Sequence, residues 1–205
     1  VLEARDQAGW TALHHASRNS NTDIVRLFHE RRALLNAATD GGETSLILAA
    51  MDGHYDVLEL LLDLNAAVGK RDNKGKTALY HACDRGQSNL VKLLLRAGAK
   101  TNVQANDGTA PMMLAVLHRK WKLIAMLLER KADANTADYN GNHVLMYAVR
   151  CGSQDFVERF LDLQADLDHE NKEGDTALQL ARSLGYSQIA GLLANRMGVF
   201  VGPAR

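Results

Sequence analysis

Apolar residues fall along this chain in paired short clusters with polar stretches between them. In "GKTALYHACDRGQSNLVKLLLRAGAKTN" (75–102), the first cluster is Leu79, Ala82 and Cys83, and the second is Leu90, Val91, Leu94 and Leu95. Each has the spacing of one helical stripe. Thr77 can cap the first helix with its hydroxyl, and Gly86 can end it in the left-handed conformation. A second helix is predicted from near Ser88 to Gly98. The polar residues after it read as an extended loop or hairpin.

The pattern recurs. Ala82 has counterparts at Ala16, Ala49, Ala115, Ala148 and Ala181, each step being 33 residues. A glycine stands seven residues before each, from Gly9 to Gly174, and a large apolar residue three before, from Leu13 to Leu178. A second alanine follows the first five at a distance of 17, from Ala33 to Ala165. A fixed period of this size marks a stacked architecture. Helices of about two or three turns are marginal alone, because nucleation is costly. One unit cannot enclose its apolar stripe, but a unit stacked on its copies can. The expected organisation is one domain over 1–205, with repeats at about 6–38, 39–71, 72–104, 105–137, 138–170 and 171–197 and a tail at 198–205.

The stretches "DQAGWTALHHA" (6–16), "DNKGKTALYHA" (72–82) and "NKEGDTALQLA" (171–181) resemble the ankyrin repeat consensus Asp-x-x-Gly-x-Thr-Pro-Leu-His-x-Ala. So do "DIVRLF", "NLVKLLL" and "RAGAKTN", and the resemblance covers about residues 4–196. It implies an all-α solenoid of stacked antiparallel helix pairs with projecting β-hairpin loops. His14 stands at the family's structural histidine, which hydrogen-bonds the loops between repeats. The chain also departs from the consensus. Proline is kept at the helix start only at Pro111, where it suits the first helical position. Ala110 and His143 replace the capping threonine, which predicts helices weaker by roughly 1 kcal/mol. Ser20 and Arg119 stand where glycine would end the first helix, at about 1–2 kcal/mol each if left-handed. "VLEARD" (1–6) resembles the close of an earlier repeat, so the chain reads as part of something longer.

The resemblance implies a binding function without catalysis, on a concave face of hairpin tips and inner helices. The positions that the consensus leaves free give the candidate partner-binding residues. These are Trp10, Met51, Asp52, Lys74, Lys76 and Arg85, with Leu117, His118, Tyr139 and Arg150. Buried aromatic and apolar anchors dominate protein interfaces. Glu43 precedes Lys76 by one repeat and Asp52 precedes Arg85, which predicts a ladder of exposed ion pairs worth about 0–1 kcal/mol each. Asn36, Asn102 and Asn135 resemble the asparagine at which some family members are hydroxylated. Asn102 and Asn135 are the candidate modification sites, against a plain role in supporting the hairpin turn.

Composition narrows the function further. Lys plus Arg equals Asp plus Glu at 24 each, so no excess positive charge favours nucleic acid or a membrane surface. "HRKWK" (118–122) is the local exception; it reads as a solvated basic turn with Trp121 lying across the outer helix. Two cysteines, Cys83 and Cys151, make no disulfide framework or zinc pattern and fit a reducing compartment, cytoplasmic or nuclear. His118 and Cys151 share one position in consecutive repeats, but nothing is placed to orient the imidazole. No metal, cofactor, small-molecule substrate or membrane span is expected. The expected partner is a protein or peptide, bound by a monomeric module acting as a scaffold or adaptor. The alternative is the targeting or substrate-recognition region of a larger multidomain enzyme, ligase complex or channel.

Overall fold

The hydroxyl of Thr77 accepts the N–H of Tyr80 at 3.2 Å and opens a helix over Ala78–Asp84. Thr44 does the same for Ile47 at 3.4 Å and Thr176 for Gln179 at 3.3 Å. The computed structural model describes residues 2–198. The predicted tail beyond Gly198 lies outside the described residues.

The chain divides into two compact units, Val1–Asn106 and Asp107–Arg205. The first holds three helix pairs: α1 (Ala12–Arg18) with α2 (Thr22–Glu30), α3 (Ser45–Asp52) with α4 (Tyr55–Asp63), and α5 (Ala78–Asp84) with α6 (Ser88–Arg96). The second holds α7 (Pro111–Leu117) with α8 (Trp121–Glu129), α9 (Val144–Arg150) with α10 (Gln154–Asp162), and α11 (Ala177–Ser183) with α12 (Ser187–Arg196). In each unit the odd-numbered, inner helices pack on one another, and each packs on the outer helix that follows it. Isolated antiparallel bridges at Ala38–Thr44, Arg71–Thr77 and Ala137–His143 close hairpin loops, and no sheet forms among the described residues.

Stacking explains which residues are buried. Ala49, Ala82, Ala115 and Ala148 have no exposed surface; a methyl group there lets inner helices approach closely. On α4, Val57 and Leu60 are 0% and 4% exposed, whereas Ile24 and Leu27 at the same register of α2 are 39% and 45% exposed. The α4 residues have α2 against them. Full burial of one such side chain contributes about 1.5–3 kcal/mol, and packing against a preceding repeat supplies part of it.

Backbone groups join the repeats too. In the first unit, Asp40 N–H donates to Ala8 O at 3.1 Å, Asn73 N–H to Gly41 O at 2.9 Å, and Asn106 N–H to Lys74 O at 2.8 Å. In the second, Tyr139 N–H donates to Asp107 O at 3.1 Å and Lys172 N–H to Asn140 O at 2.8 Å. His14 fills the role that the resemblance implies. Its Nδ1 accepts the Thr11 N–H at 2.9 Å and its Nε2 reaches Ala37 O at 2.9 Å.

Neither Ala110 nor His143 makes a side-chain cap. At Ala110 the Met113 sulfur accepts the backbone N–H at 3.4 Å. At His143 the ring turns away, and its Nε2 lies 2.7 Å from Asp166 O. Ser20 and Arg119 are left-handed, with φ of 55° and 52°. Arg32, Asn65, Lys131 and Gln164 also end outer helices at φ of 58° to 64°, where the third repeat has Gly98.

Candidate partner-binding face

The hairpin turns carry their own anchoring chemistry. Asp72 Oδ1 accepts the N–H groups of Lys74 and Lys76 at 2.9 and 2.8 Å, which fixes the turn. Its Oδ2 lies 2.9 Å from His81 Nε2 on α5, and both residues are buried. The first repeat copies this arrangement. Asp6 Oδ1 accepts from Ala8 and Trp10, and Oδ2 meets His15 Nε2 at 2.9 Å. The Trp10 N–H, the His15 imidazole and the Ala8 N–H hold the Asp6 carboxyl below its ordinary value. In the fifth repeat Asp138 accepts from Asn140 and Asn142, and the ring is Tyr147, whose hydroxyl donates to Oδ2 at 2.9 Å. Burial and the Asp138 carboxylate push that phenol's pKa well up.

His15 and His81 therefore lie on the inner helices α1 and α5, and the repeat consensus alone does not pair them with the acids. The signal was present. An acid stands nine residues before a polar ring in the first, third and fifth repeats. The second, fourth and sixth have Thr39 with Leu48, Ala105 with Leu114, and Asn171 with Leu180. The acid and the ring come and go together.

In the first unit the clamped turn at Asp72 borders a recess of about 320 Å³. Four of the predicted residues line it: Met51, which is half-buried, Lys74, Lys76 and Arg85. Glu43 and Asp84 line it too. Trp10 lies on the first rung of the unit. Its ring is 5.1 Å from that of His15, and the Arg18 guanidinium sits 5.1 Å over it. The predicted ladder of ion pairs does not form among the described residues. Asp52 instead pairs with Arg18, its Oδ2 3.3 Å from Arg18 Nε. Lys76 Nζ lies 4.7 Å from the Tyr80 ring centroid, and Glu43 accepts the Thr39 hydroxyl.

In the second unit Tyr139 stands on a hairpin turn and Leu117 ends α7; they are 58% and 46% exposed. His118 follows Leu117 and is exposed. Arg150 donates to Asn142 Oδ1 at 3.3 Å. The basic turn at 118–122 spends its aromatic on packing. Trp121 meets Phe156 and Phe160 of α10, and the Arg159 guanidinium lies 4.5 Å over its ring. Arg119 donates to the Cys151 carbonyl. The Cys151 thiol donates to Val116 O at 3.6 Å, and burial raises its pKa, which favours the thiol over a nucleophilic thiolate.

Asn135 Oδ1 accepts the Asp166 N–H at 3.2 Å, and Asn36 Oδ1 accepts the Ala67 N–H at 2.8 Å. Both carbonyls thus tie one loop to the next, while Asn102 and Asn135 remain exposed. Among the described residues no group of three or more His, Cys, Asp or Glu could hold a metal ion, and no helix is long and apolar enough to cross a membrane.

The family profile "Ankyrin repeats (3 copies)" matches residues 2–72, 64–138 and 112–202. Comparison with curated proteins gives no match. Among solved structures, the ankyrin repeat domain of Bcl-3, a unique member of the IkappaB protein family, is 26% identical. The alignment covers 95% of this chain and 89% of that one, with a TM-score of 0.81. In all, 625 solved chains match, so the likeness selects no partner. Ankyrin repeats are protein-interaction modules, generally without catalysis, and this chain belongs to the ankyrin-repeat family.

Proposed function

We propose that this chain is a non-catalytic scaffold or adaptor of the cytoplasm or nucleus that binds a protein or peptide through its hairpin turns and inner helices. In the first unit the contact residues are Trp10, Met51, Asp52, Lys74, Lys76 and Arg85. In the second they are Leu117, His118, Tyr139 and Arg150. The observation that supports this best is the recess beside Met51, which joins that apolar side chain to Lys74 and Lys76 on a turn anchored through Asp72 and to Arg85 at the end of α5. Such a surface loses little conformational freedom on association, so more of the contact energy appears as affinity.

The test is the triple change Met51→Ala, Leu117→Ala, Tyr139→Ala, assayed by affinity capture from the native cell and calorimetry of any captured partner. The expected result is partner binding weakened at least about tenfold with the melting temperature nearly unchanged, because two of the three side chains are largely exposed. Undiminished capture would place the binding surface elsewhere.

A further inference from the structure

The recess beside Met51 contains acids and bases, but they are not equally available. Asp72 uses Oδ1 on the Lys74 and Lys76 amides and Oδ2 on His81. Glu43 accepts the Thr39 hydroxyl. Of the acids on the neighbouring rung, Asp52 goes to Arg18 and Asp40 lies 3.4 Å from Arg5. Asp84 is the one lining acid with no hydrogen bond or ion pair among the described residues. The cations are committed far less. Lys74 and Arg85 are exposed, and no carboxylate pairs with either side chain among the described residues. Lys76 rests on the face of Tyr80, a contact that leaves ammonium N–H groups free to donate.

We propose that this recess takes an acidic peptide segment, with an aliphatic side chain against Met51 and carboxylates on Lys74, Lys76 and Arg85. The inference rests on the binding-face reading above and adds the chemistry of the partner. The cations come from two elements, a hairpin turn and the C-terminal end of α5. That spread suits several carboxylates along an extended segment better than one compact phosphate. A basic segment would meet the same three cations with Asp84 as the one lining carboxylate free of a partner among the described residues, which costs affinity and slows encounter.

The probe is a short fluorescein-labelled peptide of alternating glutamate and leucine, read by fluorescence anisotropy beside its glutamine–leucine and lysine–leucine counterparts and a labelled oligothymidylate. The glutamate peptide should bind the intact chain tightest, and added salt should weaken it. Lys74→Glu with Arg85→Glu should lower its affinity at least about tenfold, and Met51→Ala should lower that of the glutamate and glutamine peptides alike. Both reversed side chains are exposed, and circular dichroism verifies the fold.

If the glutamine peptide binds as tightly and ignores the reversal while Met51→Ala still weakens it, the charge inference fails and the binding-face reading stands. If the glutamate peptide binds but neither variant changes its affinity, the face reading fails as well. No binding by the glutamate peptide, or tighter binding by the oligothymidylate, overturns the proposal.

Discussion

His81 Nε2 and Asp72 Oδ2 meet at 2.9 Å, with both side chains almost wholly shielded from water. The second repeat solves the same problem with Thr39, whose hydroxyl accepts the Glu43 N–H at 3.2 Å, and with Leu48 in place of the ring. Asp72→Thr alone would leave His81 buried without its acceptor. It should cost about 2–4 kcal/mol in urea unfolding. Adding His81→Leu recreates the second repeat's pair and should restore at least about 1 kcal/mol of that loss. Simple addition of the two single costs would show that acid and ring are not coupled.

His14 and His143, each without exposed surface, should make the fold acid-sensitive. Burial is the main cause that lowers the pKa of both His14 and His143 below the ordinary imidazole value. A second proton on His14 would fall on Nδ1, which already accepts the Thr11 N–H. On His143 it would fall on an Nδ1 that is buried with no partner. The unfolded chain takes up these protons near pH 6.5 and the folded chain only at lower pH, so the unfolded state holds more protons below about 6.5. Stability should therefore decrease as pH falls from about 7.5 to about 5.5, by at most about 1.4 kcal/mol per pH unit per histidine. His143→Thr, which supplies the capping hydroxyl that Thr44, Thr77 and Thr176 use, should remove one share of that slope. Constant or rising stability over the same range would contradict the assignment.

The parts of this fold that repeat by translation were legible in the sequence. The 33-residue step, the helix pairs, the Thr77 cap and the left-handed Ser20 and Arg119 all follow from aligning one repeat on the next. The same alignment contained the left-handed ends at Arg32, Asn65, Lys131 and Gln164, which share the register of Gly98. Choices between neighbours were not legible. Asp52 has Arg85 one full repeat on and Arg18 one position off that register in the repeat before, so spacing favours Arg85. Arg18 is the partner in the structure, where its guanidinium also covers Trp10. The candidate face was legible by position, in that Met51, Lys74, Lys76 and Arg85 line one recess. What each charge does there was not, because Lys76 found a ring and Glu43 a hydroxyl within their own neighbourhoods.

Two turn glycines separate the energy of backbone strain from that of repeat packing. Gly42 and Gly174 share φ near +80°, at +83° and +80°, so a side chain at either position meets similar strain. At Gly174 an added Cβ would meet nothing within 4 Å. At Gly42 it would lie 2.6 Å from Asn73 Oδ1 and 2.7 Å from the Asn73 backbone nitrogen. That nitrogen donates to Gly41 O at 2.9 Å, and Asn73 Nδ2 donates to Asp40 O at 2.8 Å. The turn of the third repeat thus cannot yield without breaking its bonds to the second. Gly174→Ala should cost about 1–2 kcal/mol from strain alone. Gly42→Ala should cost at least about 1 kcal/mol more, because overpacking adds to strain. Parallel urea titrations of the two variants measure the difference, and equal costs would mean that the hairpin turns of consecutive repeats do not bear on one another.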